Sequence, residues 1–159
     1  MDRAIARNQS DFLDPDQIAA SHKVMGLDSQ LIRDGTYFLV ESEGCVAGCG
    51  GWSFRATLYG GDDSVVAREP ARLDPAVDAA KVRAMYTDPD FVRRGVGTAV
   101  LSLCEEAALA AGFVRVELMA TAAGVPLYRS RGYQPVEAVQ FAQIKGVGVP
   151  LLRMEKRLV

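Results

Sequence analysis

Residues that cross-link a fold or bind a metal are scarce in this sequence. Its 159 residues include only three cysteines and one histidine. The odd number of cysteines and the spacing of Cys45, Cys49 and Cys104 match neither a disulfide framework nor a zinc site. We therefore interpret the cysteines as small buried residues in a reducing environment, and we predict no metal.

Long apolar runs and an excess of charge of one sign are also missing. No run approaches the roughly 20 apolar residues that span a bilayer, and residues 1–8 lack the apolar core of a secretory signal. The formal net charge is -2, so the sequence provides no basic face for nucleic acid or an anionic membrane. We expect a cytoplasmic protein that has neither partner.

Length and composition favour one globular domain over residues 1–159. Hydrophobic residues make up 49% and charged residues 24% of the chain, which is typical of folded rather than disordered proteins. A chain of this length can bury a continuous core without cross-links.

The order of the expected elements indicates an α/β fold with a mixed sheet. Residues 1–10 do not resemble a strand. Asp14 is expected to cap a helix in which Pro15 fits the first position and Gln17 completes a capping box, and Gly26 should end it. Further helices are expected at residues 28–33, 98–111 and 124–131, strands at 36–41, 45–54, 81–87, 113–120, 133–144 and 149–158, and a long loop at 59–78.

A basic, glycine-rich turn precedes the clearest helix. The amides at a helix N-terminus have no internal partner, and the helix dipole is positive there. Gly95 and Gly97 would let a phosphate approach the backbone, and Arg93 and Arg94 pair well with phosphate oxygens. The segment therefore predicts an anion site.

Other interpretations of this turn are weaker or non-functional. A glycine-rich turn that binds nothing is common. A P-loop requires Lys followed by Ser or Thr after its second glycine, whereas Thr98 stands there. A dinucleotide fingerprint requires a third glycine where Val100 is found.

Residues 82–113 (VRAMYTDPDFVRRGVGTAVLSLCEEAALAAGF) resemble the acetyl-CoA-binding core of the GNAT-type N-acetyltransferases. That family opens its main helix with Arg/Gln-x-x-Gly-x-Gly/Ala. Gly95 and Gly97 match this motif, whereas Val92 departs from its first position. Residues 120–135 (ATAAGVPLYRSRGYQP) resemble the family's last helix, and residues 148–158 its closing strand. Residues 1–10 depart from the family, which usually opens with a strand.

The resemblance implies a fold and a co-substrate. The fold is a mixed, mostly antiparallel twisted sheet with helices on both faces and two splayed parallel central strands. Acetyl-CoA, the implied co-substrate, would lie in the gap between those strands. Its pantetheine arm and thioester would contact the backbone of Met85, Tyr86 and Thr87. Its pyrophosphate would be bound by Arg93, Arg94, Gly95, Val96, Gly97 and Thr98.

The resemblance further implies direct attack by a primary amine of a small molecule or peptide on the thioester. Tyr128 occupies the family's general-acid position. The inner positions of the strand before the turn, Lys81, Arg83 and Met85, include no carboxylate. The candidates for accepting the amine proton are therefore Glu117, Glu41 or a water relay, although both glutamates also fit a solvated strand.

Three points stay open at this level. Trp52, Arg55 and Tyr59 are candidates for the acceptor pocket and equally fit a surface cluster, while His22 is expected to be packed on its helix. A non-catalytic acyl-CoA sensor is the alternative to an enzyme. A homodimer is compatible with the resemblance.

Overall fold

The computed structural model describes all 159 residues. The helices are α1 (Asp2–Asn8), α2 (Pro15–Ser21), α3 (Ser29–Arg33), α4 (Val96–Ala110) and α5 (Val125–Ser130). The strands are β1 (Tyr37–Ser42), β2 (Cys45–Ser53), β3 (Ala80–Thr87), β4 (Arg115–Thr121), β5 (Gln134–Pro135), β6 (Gln140–Ile144) and β7 (Val147–Arg157).

The N-terminal segment is a helix, in agreement with the absence of a strand pattern. Arg3 at its start forms ion pairs of 3.0 Å to Asp88 and 2.7 Å to Asp90. Asn8 at its end donates a 2.8 Å hydrogen bond to the Thr87 carbonyl. These contacts attach α1 to the end of β3.

The predicted capping box of α2 is confirmed, but the helix is shorter than expected. Gln17 N–H donates to the Asp14 carboxylate at 2.8 Å, and the Gln17 side chain accepts from the Asp14 amide at 3.1 Å. The helix ends at Ser21 rather than at Gly26. The amides of residues 23–25 instead donate to the carbonyls of residues 20 and 21, which are turn contacts.

The seven strands form one sheet in the order β1-β2-β3-β4-β7-β5, with β6 also paired to β7. All pairings are antiparallel except that of β3 with β4. This parallel pairing covers only Ala80 with Val116 and Lys81 with Glu117. The two central strands then diverge, which confirms the expected splay.

The single strand expected at residues 133–144 is two strands. Gln134 pairs with Glu155, and Gln140 pairs with Leu151. The segment from Gln134 to Gln140 is therefore two residues longer than the segment of β7 with which it pairs, from Leu151 to Glu155. The surplus residues cannot join a regular ladder, so the strand is interrupted between Pro135 and Gln140.

Helices cover both faces of the sheet, as expected. The main core lies under α4, where Val100, Leu101 and Cys104 pack on inward-facing residues of the strands. A smaller core lies on the opposite face, where Ala20 and Val24 pack against the β6–β7 hairpin. The two cores therefore lie on opposite faces of the sheet, on either side of the gap between β3 and β4.

Candidate functional site

A β-bulge in β3 sets the direction of the side chains beside the gap. Cys49 and Gly51 of β2 pair with Tyr86 and Arg83, so one residue of β2 faces two residues of β3. Ala84, in the bulge, has a φ of 51°. The extra residue reverses the alternation of side chains beyond it.

The bulge corrects one expectation about the inner positions of β3. Lys81 and Arg83 face α2 and α3, as shown by the contact of Arg83 with Asp28. Met85 packs instead against the core on the α4 side, whereas the Tyr86 hydroxyl bonds to Gly26 on the α2 side. Lys81, Arg83 and Met85 therefore do not share a face.

The turn before α4 presents a row of free amides. None of the backbone N–H groups of residues 93–98 donates a hydrogen bond within the protein, and the first donor of this region is Ala99, to Gly95 O at 2.9 Å. Arg93 has a φ of 62° and Gly95 a φ of 83°. Unpaired amides at a helix start with this left-handed geometry can bind an anion.

The two arginines of the turn differ in their contacts. The Arg94 guanidinium forms a 2.5 Å ion pair with Glu43 and lies over the Phe91 ring, 5.1 Å from its centroid. Arg93 has no ion-pair or hydrogen-bond partner. Arg93 is therefore the uncommitted cation beside the free amides.

The two glycines of the turn have different structural roles. The positive φ of Gly95 disfavours any other residue. At Gly97 a Cβ would lie 2.9 Å from Leu127 Cδ2. Gly97 thus lets α5 approach the start of α4.

Tyr128 reaches from α5 across to β3. Its hydroxyl lies 3.7 Å from Met85 Sδ, and its ring packs edge-on to Tyr133 with centroids 5.8 Å apart. Burial raises the pKa of Tyr128 above its ordinary value. The hydroxyl therefore stays protonated at neutral pH.

A cavity of about 90 Å³ lies where β3 and β4 diverge. Residues of both strands, of α5 and of the long loop line it, among them Met85, Tyr86, Arg83, Thr121, Tyr128 and Tyr59. No aspartate or glutamate is among its lining residues. The predicted acid, Tyr128, therefore lines a cavity whose wall is mostly apolar.

Two of the predicted contact residues, Tyr86 and Thr87, form hydrogen bonds to other parts of the chain. The Thr87 carbonyl accepts the bond from Asn8 described above. The Tyr86 hydroxyl accepts from Gly26 N at 2.8 Å and donates to Gly26 O at 3.1 Å. Burial raises the pKa of Tyr86 to about 12. Its phenol is thus a structural group that joins β3 to the segment after α2.

Glu117 lies where β3 and β4 are still paired and does not line the cavity. One carboxylate oxygen contacts Lys81, and the other lies 2.5 Å from Arg153 Nη2. Only 3% of the residue is exposed. These contacts favour a structural role for Glu117.

The other candidate residues are dispersed. Trp52 is buried in the core against Phe54 and Phe113, and Arg55 forms a salt bridge of 2.7 Å with Asp34. Of the three expected pocket residues, only Tyr59 lines the cavity. His22 lies at the end of α2, 3.8 Å from Asp2.

Two further candidates lie on the surface. Glu41 is exposed on the edge strand β1. Cys45 is exposed beside the hairpin turn, so the expectation that all three cysteines are buried is wrong for Cys45.

Sequence reasoning missed the pairing of Arg83 with Asp28. Both side chains are about 1% exposed, and burial lowers the pKa of Arg83 from its ordinary value. A charged residue at an inner strand position is the only signal that could have indicated a buried partner. The partner itself is 55 positions away in sequence.

Comparisons with known proteins agree with this geometry. The sequence matches the model of the acetyltransferase (GNAT) family over residues 4–133. This match covers most of the chain, which therefore belongs to the GNAT acetyltransferase family. No curated protein sequence is significantly similar to it.

Several solved structures share the fold. A GCN5-related N-acetyltransferase from Rhodopseudomonas palustris has 18% identity and a TM-score of 0.69, over 98% of this chain and 84% of that one. A ribosomal-protein-alanine N-acetyltransferase from Brucella melitensis has 21% identity and a TM-score of 0.59, over 81% and 73%. YncA from Salmonella typhimurium, solved with its cofactor acetyl-CoA, has 18% identity and a TM-score of 0.59, over 92% and 75%.

Two further features of the chain concern membranes and metals. No helix has the length and apolar character needed to cross a bilayer. No group of three or more His, Cys, Asp or Glu side chains is arranged as a metal site.

Proposed function

We propose that the protein transfers the acetyl group of acetyl-CoA to a primary amine of a small molecule or peptide. The observation that carries this proposal is the row of six unpaired amides at residues 93–98, at the start of the helix that packs on β3. Such amides, with the helix dipole and the free Arg93 cation, suit the pyrophosphate of coenzyme A.

The diverging strands provide the route from this turn to the cavity. Beyond Lys81 and Glu117, β3 and β4 no longer bond to one another. Met85 and Tyr86 are among the residues that line the cavity at this point, and their backbone groups would hydrogen-bond an extended pantetheine arm. An amide of this segment would stabilise the oxyanion that forms when the thioester is attacked.

In the proposed reaction the amine nitrogen forms a bond to the thioester carbon, and the carbon–sulfur bond breaks. The Tyr128 hydroxyl donates its proton to the departing sulfur. A thiol pKa near ~8.5 makes the thiolate a fair leaving group, so this donation contributes modestly. Because no carboxylate lines the cavity, the amine proton leaves through water. The water relay is thus preferred to Glu117.

The experiment has two readouts. Isothermal calorimetry with coenzyme A should show saturable binding that is lost in Gly95→Asp, because the new carboxylate repels the pyrophosphate. Gly146→Asp is the matched control, since Gly146 also has a positive φ of 84° and a Cβ added there would meet no atom within 4 Å. Absence of binding in the wild type would refute the proposal.

Release of free thiol from acetyl-CoA with a panel of primary amines tests catalysis. Turnover with at least one amine is expected. Binding of coenzyme A without thiol release on any amine would favour the non-catalytic acyl-CoA sensor instead.

A further inference from the structure

Arg83 is a buried cation that has unused hydrogen-bond donors and is a residue of the cavity lining. Only 4% of the residue is exposed. Its Nη2 donates to Asp28 and, at 3.2 Å, to the carbonyl of Gly60 in the long loop. Its Nε and Nη1 are buried and have no partner. Arg83 is also among the residues that line the cavity.

Two unpaired donors on a buried guanidinium are energetically unfavourable. A buried polar group without a partner keeps its desolvation cost, which is larger for a charged group than for a neutral one. An oxygen acceptor from a bound molecule would remove that cost. A guanidinium binds carboxylates especially well because its planar donors match their geometry.

Further ion pairs lie on this face of β3. Asp28, which pairs with Arg83, also accepts a 2.8 Å hydrogen bond from Arg68. Each buried carboxylate here is thus shared by two cations, since Glu117 contacts Lys81 and Arg153 in the same way.

Two further carboxylates, which are less buried, lie near the cations Arg68 and Arg153. Asp62 lies 3.6 Å from Arg68 and Glu137 lies 4.0 Å from Arg153. Their side chains are 35% and 33% exposed and therefore partly screened by solvent. The four cations and four carboxylates of this network balance, so Arg83 is distinguished by its unpaired donors and not by a surplus of positive charge.

Arg83 and Tyr128 line the same cavity, and Arg83 is the only charged residue among the lining residues. Most of the remaining wall is apolar, including Met25, Leu58 and Met119. A small molecule between the two residues can therefore place its amine near Tyr128 and an anionic group near Arg83.

We infer that the acceptor is a small apolar amine that also carries a carboxylate, an amino acid or a close derivative, and that Arg83 binds this carboxylate. This inference rests on the proposed acetyl transfer, because it assigns the amine to the Tyr128 end of the cavity. It makes Arg83 a determinant of acceptor specificity.

Two acetylated products, one with a carboxylate and one without, test the inference through their binding affinities, without a measurement of catalysis. N-acetylleucine and N-(3-methylbutyl)acetamide differ only by the carboxylate. Each is titrated by calorimetry into protein saturated with coenzyme A. We expect N-acetylleucine to bind at least tenfold more tightly to the wild type, and Arg83→Met to abolish the difference. Equal affinities in the wild type, or a preference that persists in Arg83→Met, would overturn the inference.

Arg55→Met is the matched control, because Arg55 is also held by one aspartate but does not line the cavity. It should keep the preference for the carboxylate. If Arg83→Met does not fold, the double variant Asp28→Asn, Arg83→Met removes both buried charges and is used in its place. The wild-type comparison refutes the inference by itself if the two affinities are equal.

Thiol release with leucine and with 3-methylbutylamine separates the two proposals. Faster thiol release with leucine than with 3-methylbutylamine supports both the proposed acetyl transfer and the assignment of Arg83. Equal release with the two amines leaves acetyl transfer intact and overturns the assignment of Arg83. Failure of the wild type to bind coenzyme A refutes the proposed function itself.

Discussion

The hydroxyl of Tyr128 lies 3.7 Å from Sδ of Met85, so a residue of α5 meets β3 where β3 has separated from β4. This contact brings the candidate acid to a strand whose residues line the cavity. The proposed reaction requires the two central strands to be unpaired at this level, as they are beyond Lys81 and Glu117.

Replacement of Tyr128 by phenylalanine should lower kcat by about ten- to a hundredfold, since general acids contribute about 10²–10⁴ and a thiolate needs little assistance. Steady-state thiol release measures the effect. The affinity for coenzyme A should be unchanged. Tyr133→Phe is the control, because it removes a buried hydroxyl that has no partner. An unaltered kcat in Tyr128→Phe would exclude this residue as the acid.

Glu117→Gln should destabilise the fold by about 3 kcal/mol, because buried Lys81 would lose its counter-charge. Urea denaturation measures the loss, and kcat of the folded fraction should stay within a fewfold of wild type. A variant of normal stability that had lost a hundredfold in kcat would instead identify Glu117 as the base.

Gly48→Ala should destabilise the protein by about 1–3 kcal/mol through overpacking. The added Cβ would lie 2.4 Å from Val96 Cγ1 and 3.0 Å from the Tyr86 carbonyl. Thermal unfolding measures the change. Val96→Ala in the same chain removes one of the two clashes, so the double variant should lose less stability than the two single losses added together. If the stability loss of the double variant equalled the sum of the two single losses, this explanation would be contradicted.

The salt bridge between Asp34 and Arg55 should stabilise the fold at neutral pH, and this contribution should be lost at strongly acidic pH. A hydrogen bond from Arg55 lowers the pKa of Asp34 in the folded state. Asp34 therefore stabilises the fold above its unfolded pKa of about 3.9, and this contribution is lost as the pH falls through the lower folded value.

Urea denaturation at pH 6 and pH 3 tests the sign of this effect. Arg55→Met should be less stable than wild type at pH 6, and the difference should shrink at pH 3. Arg33→Met is the control, since Arg33 bonds to the Ser29 hydroxyl and to no carboxylate, so its effect should not vary with pH. A difference that grew in acid would refute the assignment.

Local chemistry allowed much of the fold to be predicted from the sequence. The capping box of Asp14 and Gln17 predicted the start of α2, and the glycine-rich turn predicted the start of α4 to within two residues. The hairpin between β1 and β2 follows from Glu43 and Gly44, which both adopt positive φ. These features depend on residues within a few positions of one another.

The strands at the end of the chain were harder to predict. The interruption between β5 and β6 depends on the register with β7, which no local pattern records. The bulge at Ala84 likewise depends on pairing with β2, and it places Met85 and Arg83 on opposite faces.

The sequence by itself determined the glycine-rich turn before α4, because free amides and left-handed glycine geometry are properties of a few adjacent residues. Only the tertiary structure decided which charged side chains meet at the cavity. Arg83 meets Asp28 and Glu117 meets Lys81 across 55 and 36 positions of the chain. Such contacts arise from sheet register and helix packing, which the whole chain establishes together.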